Sequence, residues 1–223
     1  MERAVCSWSG GKESALALHE VVEGSAIEVA ELVTMTSAAS GRTSFHGNRP
    51  ELIEAQADAL GIPLNLVSIG ADATGQEYAA LMTDVFSAYA DRGIERLVLG
   101  DVFLEDQDDY REDAMHEVGF KSYCPLLGED TGDLIERFLD LGFEATTVCV
   151  DAALGRAFLG RRVDEAFLDD LPVWVDPAGE EGEYHTFVHD GPLFDRAVEF
   201  ERGKVVERDV GDMTMLYCDL VPV

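Results

Sequence analysis

The stretch that decides the fold is Ser9-Gly10-Gly11-Lys12-Glu13-Ser14, which separates a short apolar segment from an amphipathic one. Residues 3–8 before it predict a buried strand, and residues 15–22 after it predict the first turns of a helix. Glycines let the backbone approach a ligand closely, and the first N–H groups of a helix attract anions. Two hydroxyls and one ammonium add further donors, so the stretch predicts a cradle for phosphate.

This cradle differs from the common P-loop, which has a glycine five places before its Gly-Lys pair and Ser or Thr after the lysine. Here those positions hold Cys6 and Glu13. The stretch instead resembles the SGG-(x)-(D/E)-S loop of the PP-loop ATP pyrophosphatases, which cleave ATP between its α and β phosphates and transfer AMP. The structural alternative is a glycine turn that only caps a helix.

The composition indicates a packed globular protein of one large or two small domains, since 47% of the 223 residues are apolar. No apolar run is long enough to span a membrane, and the run after Arg3 is too short for a signal peptide. The four cysteines occur singly, which indicates neither a zinc site nor a redox pair and fits a reduced, cytoplasmic location. They are Cys6, Cys124, Cys149 and Cys218.

The charge is strongly negative, with 45 acidic against 16 basic residues and a net charge of −29. Self-repulsion of this size destabilises a compact state in dilute buffer, whereas molar salt shortens the Debye length to about 3 Å. We therefore expect a halophilic protein from a salt-accumulating cytoplasm. The absence of a basic patch argues against direct binding of nucleic acid.

Four strand-and-helix units follow one another in the first half of the chain, which predicts a doubly wound, Rossmann-like parallel sheet of the HUP type. The predicted strands are 3–8, 27–35, 62–69 and 94–99, and the helices after the first are 50–60 and 76–92. Ligands bind beyond the carboxyl ends of such strands. This rule gathers the cradle, the 35–46 segment and Gly100-Asp101 on one rim.

The second half predicts a smaller α+β unit, so we place a boundary near residue 128, with an ATP-binding domain at 1–128 and a substrate domain at 129–223. Residues 101–112 lead into a helix ending at Val118, and 119–128 form an extended connection. The remaining predictions are helices at 130–141 and, interrupted by glycines, at 154–171; strands at 143–150, 194–200, 205–209 and 213–221; a turn at Arg202-Gly203; and an acid-rich loop at 176–187.

With these segments placed, the chain resembles the diphthine–ammonia ligase (diphthamide synthetase) family of N-type ATP pyrophosphatases over nearly its whole length. The matching motifs are the cradle, the region around His46, Gly100-Asp101-Val102-Phe103 with Tyr110-Arg111, Gly142-Phe143-Glu144-Ala145, Val150-Asp151, Leu159-Gly160-Arg161, and Asp176-Pro177-Ala178-Gly179-Glu180 through Gly182-Glu183-Tyr184-His185-Thr186-Phe187. The last is the most specific. Glu13 departs from the aspartate that the family usually has.

The resemblance implies ATP-dependent amidation of diphthine, a modified histidine of elongation factor 2, by ammonia, with AMP and pyrophosphate as products. It implies that ATP contacts Ser9, Gly10, Gly11, Lys12, Glu13, Ser14 and Gly100. It also implies Mg²⁺, which bridges phosphate oxygens. We expect Lys12, Asp101 and His46 to be catalytic, with Asp101 also holding the metal or the ribose.

For the protein substrate or ammonia, the resemblance implies Glu180, Glu183, Tyr184, His185 and Thr186. Diphthine carries a quaternary ammonium, which carboxylates and aromatic faces attract. Arg111 and Arg161 contact either phosphate, a substrate carboxylate or neighbouring acids. The sequence leaves the oligomeric state open, a homo-oligomer included.

Three other functions are consistent with the cradle. One is a PP-loop enzyme that modifies RNA, which predicts a basic surface or paired cysteines. Another is an enzyme of the same chemistry that acts on a small carboxylate. The third is a nucleotide-binding module without turnover, which needs no acid-rich loop at 176–187.

Overall fold

The structure is a computed structural model that describes residues 2–24, 26–44, 46–70, 73–103, 109–211 and 213–223, with the backbone only at 109 and 110. The predicted lead-in at 104–108 and the Tyr110 side chain lie outside this description. The chain forms two compact units. Unit 1 comprises Met1–Ser9, Glu13–Gly41 and Ile62–Gly128, and unit 2 comprises Gly10–Lys12, Arg42–Gly61 and Glu129–Val223.

The strands and helices alternate in the first half of the chain and give way to a strand-rich second half. The strands are β1 Glu2–Ser7, β2 Ile27–Ser37, β3 Arg42–Thr43, β4 Leu64–Ile69, β5 Arg96–Val98, β6 Lys121–Tyr123, β7 Glu144–Asp151, β8 Tyr184–Asp190, β9 Phe200–Val210 and β10 Met213–Pro222. The helices are α1 Lys12–Gly24, α2 Pro50–Leu60, α3 Gly75–Ala90, α4 Asp109–Glu117, α5 Thr131–Asp140 and α6 Glu165–Asp170. Over the residues described, no helix combines the length and apolar character that a membrane crossing requires.

Unit 1 contains a parallel sheet in which the strands run in the order β4-β2-β1-β5-β6. The chain moves outward from β1 to β4 and then returns to the other side of β1 with β5 and β6. This reversal is the topological switch point of a doubly wound sheet, where ligands bind beyond the strand ends. The predicted α/β fold class is therefore confirmed, and Ser9 and Gly100 follow the two strands that flank the switch point.

Local signals in the sequence explain where the helices begin and end. Pro50 starts α2, and Gly61 ends it in the left-handed conformation with φ 67°. Thr74 caps α3 through a reciprocal pair of hydrogen bonds with Glu77. The apolar face of α3 packs into the core of unit 1 through Phe86, which stacks on Phe120 with ring centroids 4.9 Å apart.

One predicted connection contains a strand. Within 119–128, β6 pairs in parallel with β5, with Val98 opposite Tyr123. Its three residues, Lys121-Ser122-Tyr123, carry no apolar run, so the pattern of hydrophobic residues gives no sign of a strand.

Three further predictions were wrong. The 154–171 segment forms a helix only at α6, because Gly155 and Gly160 take φ values of 94° and 71° and the turns between them bond to Thr147 on β7. Residues 194–199 form no strand, and β9 runs unbroken through Arg202-Gly203 instead of turning there. Gly203 lies opposite an irregularity in β10, where a Cβ would be 3.1 Å from the Asp219 carbonyl.

Unit 2 contains an antiparallel sheet in the order β8-β7-β10-β9. Its core is aromatic: the Phe167 ring of α6 meets the Tyr184 ring of β8 edge-on at 5.2 Å, and Phe138 stacks on Phe143 at 5.1 Å. The assignment of ATP binding to residues 1–128 and of substrate binding to 129–223 stays a prediction. Gly10–Lys12 and Arg42–Gly61 belong structurally to unit 2.

Candidate functional site

The glycine turn of the cradle has a conformation that only glycine adopts easily. Gly10 has φ 81°, and a Cβ there would lie 2.7 Å from Gln56 Oε1 and 2.8 Å from Ile53 Cδ1. Its carbonyl accepts hydrogen bonds from the Val188 N–H at 2.8 Å and from Gln56 Nε2 at 3.1 Å. Because the peptide bond to Gly11 is trans, the Gly11 N–H points away from these two donors. The turn therefore has a fixed orientation.

Gln56 is a residue of this site that the sequence interpretation missed. It is fully buried on α2, and its Nε2 also donates to the Val188 carbonyl at 2.5 Å. One amide thus holds the cradle and strand β8 together. The available signal was a polar residue at a core position of a helix, three residues after Ile53 and adjacent to Ala57. Buried amides at such positions are retained only with satisfied hydrogen bonds.

Lys12 is the first residue of α1, and its side chain is buried, with only 3% of the residue exposed. Its Nζ lies 3.6 Å from Glu180 Oε1 and 4.9 Å from the centre of the Tyr184 ring. A buried ammonium is stable only beside negative charge or an aromatic face, and this one has both. Three residues predicted for two different ligands therefore lie side by side in unit 2.

Thr186 links the cradle to the 176–187 loop through its hydroxyl. The Lys12 N–H donates to Thr186 Oγ1 at 3.1 Å. The expectation that the first N–H groups of the helix are open to a ligand is therefore wrong for Lys12, because a side chain from β8 caps that group. The Thr186 carbonyl lies 3.0 Å from His46 Nδ1. A carbonyl only accepts, so His46 Nδ1 carries the hydrogen of this bond.

His46 and His185 lie next to each other, with ring centroids 4.8 Å apart. Burial, reinforced by the neighbouring His46 and Lys12, holds the pKa of His185 well below its usual value. His185 is therefore neutral at neutral pH. One of its ring nitrogens can accept a hydrogen bond, but the ring adds no positive charge.

Glu183 and Tyr184 are engaged by the 176–187 loop itself. The two carboxylate oxygens of Glu183 accept from the Asp176 N–H at 2.7 Å and the Glu181 N–H at 3.0 Å. The Tyr184 hydroxyl donates to the Pro177 carbonyl at 2.6 Å. These bonds fix the shape of the loop that presents Glu180. The assignment of Glu183 and Tyr184 to substrate binding stays a prediction.

The other predicted residues belong to unit 1. Ser9 and Ser14 are bonded to each other through their hydroxyls at 3.2 Å. A Cβ on Gly100 would lie 2.8 Å from the Glu13 carbonyl carbon, so glycine is needed where the end of β5 meets the start of α1. Asp101 accepts a hydrogen bond from Arg111 at 2.7 Å.

The prediction that Asp101 holds Mg²⁺ stays a prediction. Among the described residues, no three His, Cys, Asp or Glu side chains are grouped as a metal site. Magnesium in nucleotide sites is often held by one or two carboxylates together with the phosphates, so a single carboxylate at the end of β5 fits that chemistry. Arg161, the other cation left open, pairs with Asp170 at 2.7 Å and lies over the Phe158 and Phe167 rings.

Two protein-family models match the chain. The model described as the diphthamide synthase N-terminal domain matches residues 2–122, and the model described as the diphthamide synthase C-terminal domain matches residues 130–216. The first covers the cradle and Asp101, and the second covers the 176–187 loop. No curated protein sequence matches the chain.

Proposed function

The chain belongs to the diphthamide synthase family, and from this premise we propose that it amidates the carboxylate of diphthine on elongation factor 2, using ammonia and ATP. The observation that carries the proposal is the position of Lys12 from the first matched region beside Glu180, Tyr184 and Thr186 from the second. A phosphate-binding cation and the motif most specific to this family thus share one site.

The chemistry explains why ATP is cleaved to AMP. A carboxylate is a poor electrophile because its leaving group would be oxide. Attack of a carboxylate oxygen on the α phosphorus of ATP expels pyrophosphate and forms an acyl adenylate. Ammonia then attacks the acyl carbon, AMP leaves, and a proton is released as the amide forms. The reaction needs neutralisation of the leaving pyrophosphate, alignment of the reacting groups and exclusion of water.

We assign these tasks to residues by their surroundings. The Gly10–Lys12 turn and the Lys12 ammonium hold the pyrophosphate portion, with Ser9 and Ser14 as further donors. Gly100 permits close approach of the nucleotide to the backbone, and Asp101 holds Mg²⁺ or the ribose. His46 orients the reacting groups, since its ring is held in one tautomer by the Thr186 carbonyl.

The substrate assignments rest on the 176–187 loop. Glu180 and the Tyr184 ring form an anionic and aromatic surface of the kind that attracts a quaternary ammonium. His185, neutral and adjacent to His46, can accept a hydrogen bond from ammonia and so help to position it.

The proposal is tested by incubating the purified protein with ATP, Mg²⁺, ammonium and diphthine-bearing elongation factor 2 in molar KCl. We expect AMP, pyrophosphate and a modified histidine whose mass falls by about one unit, as oxygen is replaced by NH. Release of pyrophosphate with an RNA or a small carboxylate, but not with the factor, would favour the corresponding alternative. Nucleotide binding without release of pyrophosphate under any of these conditions would indicate a non-catalytic module.

A further inference from the structure

The side-chain hydroxyl of Thr186 accepts a hydrogen bond, and its own hydrogen remains to be donated. Thr186 is fully buried, and its Oγ1 accepts from the Lys12 N–H at 3.1 Å. A threonine hydroxyl also carries one hydrogen that it can donate. Among the described residues, the Lys12 N–H is the one hydrogen-bond partner found for Thr186 Oγ1, and no acceptor is found for its hydrogen. A buried donor without an acceptor is costly, by the same reasoning that keeps most buried polar groups paired.

The position of this hydroxyl identifies the kind of acceptor that would fit. It is bonded to the backbone of the residue that follows the two glycines, in the same unit as the Lys12 ammonium. An acceptor at this place lies within a cluster of N–H, hydroxyl and ammonium donors, which is the environment of a phosphate oxygen. A cationic ligand brings no acceptor for this hydrogen.

We infer that Thr186 is a direct ligand of the pyrophosphate portion of ATP, donating its hydroxyl hydrogen to a phosphate oxygen while accepting the Lys12 N–H. The inference rests on the proposed function, and it assigns Thr186 to the nucleotide rather than to the protein substrate. The hydroxyl replaces the capped Lys12 N–H as the donor that the ligand meets. Because Thr186 lies on β8, this bond connects the nucleotide directly to the 176–187 loop.

The connection extends to both histidines. The Thr186 carbonyl holds His46 Nδ1, and the preceding residue, His185, packs against the same ring. A displacement of Thr186 on binding or release of pyrophosphate would therefore also move the two imidazoles. The same short segment thus contacts the leaving group through its hydroxyl and positions the two imidazoles through its backbone.

The test compares Thr186→Val, which keeps the shape but loses the hydroxyl, with Thr186→Ser, which keeps the hydroxyl. Binding of inorganic pyrophosphate with MgCl₂ is measured by calorimetry on the full chain in molar KCl. Loss of one hydrogen bond to a charged group weakens binding by about 10- to 100-fold. We expect Thr186→Val to bind that much more weakly, and Thr186→Ser to bind within about threefold of the parent.

The matched control is Thr147→Val. Thr147 faces Thr186 across the β7–β8 ladder and is also fully buried, but its hydroxyl already donates to the Phe158 carbonyl and accepts from the Arg161 N–H. We expect this variant to melt at a lower temperature and to bind pyrophosphate as the parent does. In turnover assays, Thr186→Val should raise the KM for ATP and leave the KM for elongation factor 2 unchanged.

A second measurement does not depend on folding of the variants. In the parent protein with methyl-labelled threonine, pyrophosphate should shift the Thr186 methyl resonance and leave that of Thr147 in place. If the parent binds pyrophosphate but Thr186→Val binds equally well, or the Thr186 resonance is unmoved, the inference is overturned and the proposed function stands. If the parent binds neither pyrophosphate nor ATP, both are overturned.

Discussion

Replacement of Lys12 by alanine is the most direct test of the phosphate site. Its Nζ is 3.6 Å from Glu180 Oε1, and at an effective dielectric constant of about 20 two unit charges at that separation interact by about 5 kcal/mol. The attraction between Lys12 Nζ and a phosphate oxygen at a similar distance would be of comparable size, less the cost of desolvating both groups. Loss of one preorganised donor typically lowers kcat by about 10²- to 10³-fold, and we expect a loss of that size in AMP formation.

The same substitution also affects stability, and the two effects must be separated. Without Lys12, the Glu180 carboxylate, whose side chain is 12% exposed, is left without this cation, which we expect to lower the free energy of unfolding by up to about 3–5 kcal/mol. The double variant Lys12→Ala/Glu180→Gln removes both charges, so it should recover stability without recovering activity. Lys204→Ala, at an exposed position on β9, controls for the loss of one positive charge from an acidic chain.

The assay is release of AMP and pyrophosphate in molar KCl, at a temperature well below the melting point of the least stable variant. We expect Lys204→Ala to match the parent, and the double variant to be at least as impaired as Lys12→Ala. Activity of Lys12→Ala within threefold of the parent would refute the phosphate role. Recovery of activity in the double variant would show that the buried carboxylate, and not the missing cation, causes the defect.

Three further outcomes follow from the geometry and the charge. Burial lowers the pKa of His185 in the folded state, so below about pH 6.5 the unfolded chain binds a proton that the folded chain does not bind. The free energy of unfolding should therefore decrease as the pH is lowered, by up to about 1.4 kcal/mol per pH unit. Urea unfolding at pH 7, 6 and 5 should show a shallower decline for His185→Gln, and identical slopes would contradict the assignment. Gly10→Ala should destabilise more than Gly61→Ala, because both have positive φ but a Cβ meets Gln56 only at Gly10; equal unfolding free energies would exclude the steric cause. Thermal melts should give a higher Tm in molar KCl than in dilute buffer, and an unchanged Tm would argue against the halophilic interpretation.

The parts of the fold that the sequence predicted are those with strong local signals. The helix beginning at Pro50 and ending before Gly61 has both a start and a stop residue, and its observed bounds match. The errors occur where tertiary pairing overrides local pattern. β6 exists because β5 offers an edge to Lys121-Ser122-Tyr123, and β9 passes through Gly203 because β10 pairs with both sides of it.

The site shows the same division. The cradle was visible because Gly10, Gly11 and Lys12 are adjacent in sequence. Gln56 and the hydroxyl of Thr186 act on the cradle across 46 and 174 positions of chain, and no local pattern records such a distance. Sequence motifs therefore grouped Thr186 with its neighbours in the 176–187 loop, whereas its hydrogen bonds group it with Lys12.

The pairing of Lys12 with Glu180 also constrains how an anion can enter. The Lys12 charge is buried, so it needs a negative partner, and Glu180 is that partner in the structure. A phosphate that reaches Lys12 brings a second anion to the same cation, and two anions at one site repel each other. Under the proposed function, this repulsion favours rotation of the Glu180 side chain away from Lys12, and a carboxylate beside the Tyr184 ring is suited to a quaternary ammonium. Glu180 would then pair with Lys12 before the nucleotide binds and with the cationic substrate afterwards, so phosphate binding and substrate recognition would depend on one side chain.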